Sequence, residues 1–282
     1  MKSRRTFIKH SLTGITALSL LPSIQLFAEP AEIIINANSK ASKLRFALAS
    51  DGHYGQAGTD SDTFFTDIIK WLNAEHIKSP LDFVIFNGDL VHDDPKLLEV
   101  IKTKYFNNLK MPFYAVPGNH DRCSTAQWKS VFGYEDNCVF KLKNTGFILA
   151  NTSNEKGEYV CPDNMFLKTS LEEFKNLETV FVILHIPPHK WMPQETFFVE
   201  CSDTLPLLHQ YTNVKAVFHG HDHSLDGIRY TNKLPHFFDG HFGGNWGTDY
   251  KGYRIVEVAE NNKIQTYQVN ASMNPILNSS KF

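Results

Sequence analysis

The stretch Phe113-Tyr114-Ala115-Val116-Pro117-Gly118-Asn119-His120-Asp121 decides how this 282-residue chain is read. Its first four residues form an apolar run of strand length, and Pro117-Gly118 stops it. Asn119, His120 and Asp121 then stand just past the strand end. Polar residues beyond the carboxyl ends of successive buried strands converge on one edge of a sheet, so the same pattern matters wherever it recurs. It recurs four times. Residues 44–49 run into Ser50-Asp51-Gly52-His53, and residues 83–86 into Asn87-Gly88-Asp89. Residues 180–184 stop at His185-Ile186-Pro187-Pro188, and residues 214–218 lead to Gly220-His221-Asp222-His223.

The segments between these runs are helical or turn-like. Phe64, Phe65, Ile68, Ile69 and Leu72 recur at helical spacing, as do Leu97, Leu98, Ile101 and Tyr105 after Pro95. Residues 138–142 and 147–150 flank Lys143-Asn144-Thr145-Gly146, which reads as a hairpin turn. Residues 227–231, 252–259 and 263–269 read as closing antiparallel strands, and the chain has no internal repeat. Apolar runs alternating with helical segments place the chain in the α/β class.

Taken in order, the five polar motifs resemble the signature of the calcineurin-like metallophosphoesterase superfamily. The Asp51-x-His53 opening is most similar to the branch of class III cyclic-nucleotide phosphodiesterases and glycerophosphodiesterases. The resemblance implies a four-layer α-β-β-α sandwich of two mixed β-sheets flanked by helices, as one catalytic domain over residues 43–275. It also implies one metal held by Asp51, His53, Asp89 and His223, and a second held by Asp89, Asn119, His185 and His221, with Asp89 as the bridge. The activity that follows is hydrolysis of small phosphodiesters or phosphomonoesters by a metal-bound hydroxide. His120 would contact the scissile phosphate and assist the leaving alkoxide, and Asp121 would orient His120 or a neighbouring ligand.

The donor chemistry agrees with two divalent transition metal ions, since carboxylates and imidazoles suit Mn, Zn or Fe and no soft thiolate set is present. Two such ions against the carboxylates of Asp51 and Asp89 leave a site of about +2, which favours a phosphate ester. A histidine at 92, where purple acid phosphatases place an iron-binding tyrosine, argues against a tyrosinate-iron centre. His92 itself is read as either a pocket residue or a surface histidine. His189, His219, His236, His241 and the segment from Asp239 to Trp246 are candidates for a substrate wall or for ordinary loop packing. One alternative is a scaffold protein that keeps the fold without catalysis. A metallo-β-lactamase fold would need a His-x-His-x-Asp-His run, which the chain lacks.

The N-terminus carries a separate expectation. Ser3-Arg4-Arg5-Thr6-Phe7-Ile8-Lys9, a mildly apolar run to Leu21 and Ala28 before Glu29 resemble a twin-arginine export signal over residues 1–28, followed by a linker over 29–42. The expected partners are then the twin-arginine export machinery and a small phosphorylated substrate, in the periplasm or otherwise outside the cytoplasm. Loss of Lys2, Arg4, Arg5 and Lys9 from the 28 basic residues leaves 24 against 30 acidic ones, a net charge of −6. That balance disfavours long duplex nucleic acid as a substrate. No apolar stretch of about 20 residues follows the first thirty, so no stable membrane span is expected. Four cysteines, at 123, 138, 161 and 201, are compatible with disulfides in any of three pairings.

Overall fold

The computed structural model describes residues 44–273 and 276–282. The expected export signal and linker lie outside the described residues. Strand β1 (Leu44–Ala49) is followed by helix α1 (Ser61–Lys78), β2 (Phe83–Asn87), α2 (Leu97–Lys104), β3 (Phe113–Val116) and α3 (Thr125–Phe132). The chain continues through β4 (Cys138–Leu142), β5 (Thr145–Leu149), α4 (Asn164–Glu173), β6 (Thr179–Ile183), α5 (Thr204–His209) and β7 (Val214–His219). It closes with β8 (Ile228–Thr231), β9 (Leu234–Phe238), β10 (Gly252–Val258), β11 (Ile264–Asn270) and β12 (Ile276–Lys281).

These strands form two six-stranded sheets, ordered β12-β11-β10-β1-β2-β3 and β4-β5-β6-β7-β9-β8. Both are mixed. β1, β2 and β3 run parallel while β10 is antiparallel to β1, and β5, β6, β7 and β9 run parallel while β4 and β8 are antiparallel at the edges. The two-residue side-chain period of a strand assembles the layers. In β1, Leu44, Phe46 and Leu48 face a central core shared with Phe181, Ile183 and Phe218 of the second sheet. Ala47 and Ala49 point the other way, to α1, α2 and α3 through Phe65, Ile68, Leu98 and Trp128. On the second sheet Val180 and Val182 face α4 and α5 through Leu167, Leu171 and Leu208. Three apolar interfaces between four layers give the helix-sheet-sheet-helix sandwich.

Details depart from the sequence reading. The first hairpin turn is two residues, because Leu142 already pairs with Thr145. Lys143 and Asn144 both take positive φ, at 51° and 62°, as a tight hairpin of this hand requires. β9 is a strand that the sequence reading does not place, since Pro235 and His236 interrupt its apolar run and it is defined by pairing with β7 and β8. β12, also unplaced, adds an edge beyond residue 275.

Cys161 and Cys201 form a disulfide with a Cα separation of 5.6 Å. It joins the segments just before α4 and α5. Cys123 and Cys138 are free, and Cys123 packs in the helix-facing core of the first sheet without joining the metal ligands. The cross-link closes a loop of 40 residues in the unfolded chain, which corresponds to about 4 kcal/mol of chain entropy. Replacing both cysteines with serine is therefore expected to lower the unfolding free energy by about 2–4 kcal/mol. Denaturant titration of the two proteins checks this, and an unchanged midpoint would contradict it.

Candidate metal centre

The five motif-bearing loops follow the carboxyl ends of β1, β2, β3, β6 and β7 and meet at one edge of the sandwich. Tight folding is needed to turn the ligands inward. Asp51, His53, Asp89 and His221 all have positive φ, between 47° and 69°, a region that residues with a Cβ rarely occupy. Such local strain persists only where surrounding contacts over-determine it. Gly88 and Gly118 give the room. A Cβ at Gly88, itself at φ 80°, would overlap the His185 ring, and one at Gly118 would overlap the Asp89 carboxylate and backbone.

The ligand atoms fall into two buried groups, Asp51 with His53 and His223, and Asp89 with His185 and His221. Asp89 stands between them. Its Oδ2 lies 3.2 Å from His185 Nε2 and 3.7 Å from His53 Nε2, while Oδ1 accepts the His120 backbone N–H at 2.8 Å. His53 Nε2 and His223 Nε2 approach to 2.9 Å, and His223 Nε2 is 3.2 Å from Asp51 Oδ1. Asn119 Oδ1, His185 Nε2 and His221 Nε2 are buried with no hydrogen-bond partner. Leaving such an atom unsatisfied costs about 1–3 kcal/mol, which a cation would remove. The residues present therefore fit a pair of divalent metal ions.

Contacts behind the ligands settle which ring nitrogens face inward. His185 Nδ1–H donates to Asn87 O at 2.6 Å, and His223 Nδ1–H donates to Trp246 O at 3.1 Å, so both present Nε2. Asn87 is itself held by Asp239 at 3.2 Å, whose carboxylate lies 3.2 Å from the buried Arg254 Nε. His241 stacks on His223 and braces the 243–248 loop through Gly243 O and Thr248 O. His219 of β7 and His236 of β9 pair with each other across the two strands, and His189 packs edge-on to Trp191, so these histidines serve packing here.

Charge follows the same geometry. Burial pushes His53 and His221 down to about 3, so both are neutral and able to ligate. At His185 burial acts in the same direction but the carboxylates of Asp89 and Asp51 outweigh it, raising the ring to about 9. Burial raises Asp51 and Asp89, yet neighbouring histidines win, bringing Asp51 to about 2 and Asp89 well below the usual carboxylate range. A metal at His185 must displace a proton below pH 9. Metal uptake at pH 8 is accordingly expected to release close to one proton per chain from this ring, with apparent affinity falling about tenfold per pH unit below that. Calorimetry in buffers of different protonation enthalpy measures it, and uptake with no proton release would contradict it.

The structure separates the two residues expected to act beside the metals. His120 is partly exposed, and its Nδ1 lies 2.9 Å from Asp93 Oδ1, which also takes Arg122 Nε at 2.9 Å. Asp121 does not reach that ring. Its oxygens accept the backbone N–H groups of Leu90, Val91 and Gly118, so it braces the loops on either side of Asp89. Asp121 is fully buried, and burial together with Asp89 raises it to about 7. The orienting carboxylate for His120 is Asp93, which the sequence reading passes over because it follows no strand end. His92 joins the centre as well. It stacks on His120 at 4.6 Å and sets its Nδ1 3.1 Å from His53 Nδ1.

Comparison with known proteins agrees with this architecture. Residues 44–225 match the family described as calcineurin-like phosphoesterase. The chain is 24% identical over 205 residues to a probable cyclic nucleotide phosphodiesterase of Fibrobacter succinogenes, covering 67% of this chain and 77% of that one. It is 28% identical over 186 residues to a 3′,5′-cyclic-nucleotide phosphodiesterase of Nostoc sp., covering 62% and 67% respectively. A crystal structure of a dimetal phosphatase from Danio rerio shares the fold at a TM-score of 0.67, with 12% identity over 84% of this chain and 98% of that one.

Proposed function

We propose that this chain, which belongs to the calcineurin-like phosphoesterase family, hydrolyses small phosphodiesters or phosphomonoesters outside the cytoplasm. Phosphoester hydrolysis with divalent metals follows from the family and from the two ligand groups. The observation that carries the reading is the clustering of Asp89, His185 and His221 as a second buried group besides Asp51, His53 and His223, with His185 Nε2 and His221 Nε2 buried and lacking a hydrogen-bond partner. Asp51, His53, Asp89 and His223 would hold one ion, and Asp89, Asn119, His185 and His221 the other. Mn, Zn and Fe suit these oxygen and nitrogen donors. When bound, such ions neutralise the ester and acidify a water molecule.

The remaining work falls to side chains of this chain. Asp93, acting only as an acceptor, keeps a proton on His120 Nδ1, so Nε2 donates only when the ring carries both protons. In that form His120 can pass a proton to a departing alkoxide and then be reset by water. Asp51, Asp89 and the paired histidines would hold the ions that receive the phosphate, while Arg122 steadies Asp93. Support for the location comes from the twin-arginine-like segment and from the Cys161–Cys201 disulfide, a bond that persists in oxidising compartments.

Protein reconstituted with Mn or Zn is expected to hold about two ions per chain and to cleave members of a panel of mono-, di- and pyrophosphate esters. A metal-loaded preparation that cleaves none of them would overturn the activity. Changing Arg4 and Arg5 together to lysine is expected to leave the protein in the cytoplasmic fraction, and unchanged export would refute the proposed route.

A further inference from the structure

Three partly exposed aromatic rings stand over the histidines of the metal centre. Tyr159 meets the His221 ring edge-on at 4.7 Å between centroids, and Phe197 meets the same ring edge-on at 5.5 Å. Trp246 stacks on His223 at 4.0 Å with an interplanar angle of 5°. Phe197 and Trp246 also stack on each other at 5.1 Å. Aromatic surface therefore runs without a break from a ligand of one ion position to a ligand of the other. Each of the three side chains is 38% exposed. Large rings are ordinarily covered more fully, and their open faces adjoin the site already described.

The rings come from three loops, and each loop is fastened. Tyr159, between β5 and α4, forms an isolated bridge with Ser153. Phe197 lies between β6 and α5, where Val199 N–H donates to Pro187 O at 2.9 Å and Cys201 N–H to Pro188 O at 3.3 Å, just after His185. The Cys161–Cys201 disulfide then ties these two loops together, two residues beyond Tyr159 and four beyond Phe197. Trp246, between β9 and β10, is anchored by its carbonyl on His223 Nδ1. Rings already held in place need little further ordering when a ligand binds, which favours recognition by stacking.

We propose that Tyr159, Phe197 and Trp246 form a disulfide-braced aromatic rim that selects phosphate esters bearing a planar ring, an aryl group or a nucleobase, over compact glycerol-like esters. The proposal rests on the phosphoesterase reading and adds which ester that site prefers. With the phosphate held at the Asp89 centre, a planar substituent reaches the outer member of this stack, Phe197, which Trp246 backs from the His223 side. Stacking on such faces tolerates different ring systems, because every base or aryl group has a π-face. An aliphatic alcohol gains nothing comparable there.

The test uses the metal-loaded protein and two kinds of probe. Adenosine 3′,5′-cyclic phosphate and bis(4-nitrophenyl) phosphate carry rings, and glycerophosphoethanolamine does not. Phe197 belongs to neither ligand group and makes no side-chain hydrogen bond that the ligands use, so Phe197→Ala isolates the rim. The ratio of kcat/KM for ring-bearing over compact ester is expected to fall about 5- to 50-fold, mainly through KM. Phe197→Leu, which keeps apolar bulk without a π-face, is expected to resemble the alanine variant, and Phe197→Trp to restore the ratio. Changing Cys161 and Cys201 together to serine is expected to lower it by about 2- to 5-fold. If the wild-type protein cleaves none of the probes, the underlying phosphoesterase reading fails and this proposal with it. If it cleaves both kinds and Phe197→Ala leaves the ratio unchanged, the rim is refuted while that reading stands. A leucine variant indistinguishable from wild type also refutes selection by stacking.

Discussion

Replacing Asp89 by asparagine is expected to empty the metal centre and to lower turnover by about 1000-fold or more. Asp89 Oδ2 lies 3.7 Å from His53 Nε2 and 3.2 Å from His185 Nε2, nearer to both than Asp51 Oδ1, which is 3.8 Å from each. The change is a clean one, because Asn tolerates the left-handed backbone that Asp89 adopts at φ 51°, so the loop can keep its course. What disappears is one negative charge at a site meant for four positive ones. His185 also loses the carboxylate that most strongly supports its protonated form, after the opposing effect of burial. Elemental analysis of the reconstituted variant is expected to fall below one ion per chain. A variant retaining two ions and turnover within about tenfold of wild type would show that Asp89 does not bridge.

His120→Ala is expected to behave in the opposite way, keeping its metals while turnover falls about 100- to 10,000-fold. Its ring clusters with His53 and His92 and belongs to neither of the two buried ligand groups, and its backbone N–H donates to the Asp89 carboxylate. Asp93→Asn tests the orienting contact. It keeps the side-chain shape but gives up the acceptor charge that faces Nδ1, and a smaller loss of about 10- to 100-fold is expected. Asp121→Asn should instead act on stability, since three backbone N–H groups depend on that carboxylate. Equal turnover in the His120→Ala and wild-type proteins would refute proton donation by this ring.

How much of this was legible beforehand depends on how locally each feature is encoded. Residues 44–49 and 113–116 coincide with β1 and β3 because a fully buried strand needs apolar side chains on both faces, and that is visible without knowing its partner. The Gly-containing motifs after these runs mark sharp turns for the same local reason. By contrast β9, with Pro235 and His236 inside it, becomes a strand only through pairing with β7 and β8. β12 similarly depends on its ladder with β11. Asp121 sits beside His120 in sequence yet points to other loops, and the ring is served by Asp93, 27 positions away.

The sequence by itself determined the motif-bearing strands, the chemical identity of the donors at their ends and the α/β class, while the four-layer arrangement was what the resemblance implied. The first three follow from side-chain polarity and local backbone preference, which act within a few residues. Tertiary structure alone decided which cysteines pair, which carboxylate holds His120, which histidines present Nε2, and that Tyr159, Phe197 and Trp246 share one rim. Each of these is a contact between segments far apart in the chain that meet only in the folded sheets. The positive φ values at Asp51, His53, Asp89 and His221 belong with them, because those conformations are unfavourable alone and are held by the packed loops around them.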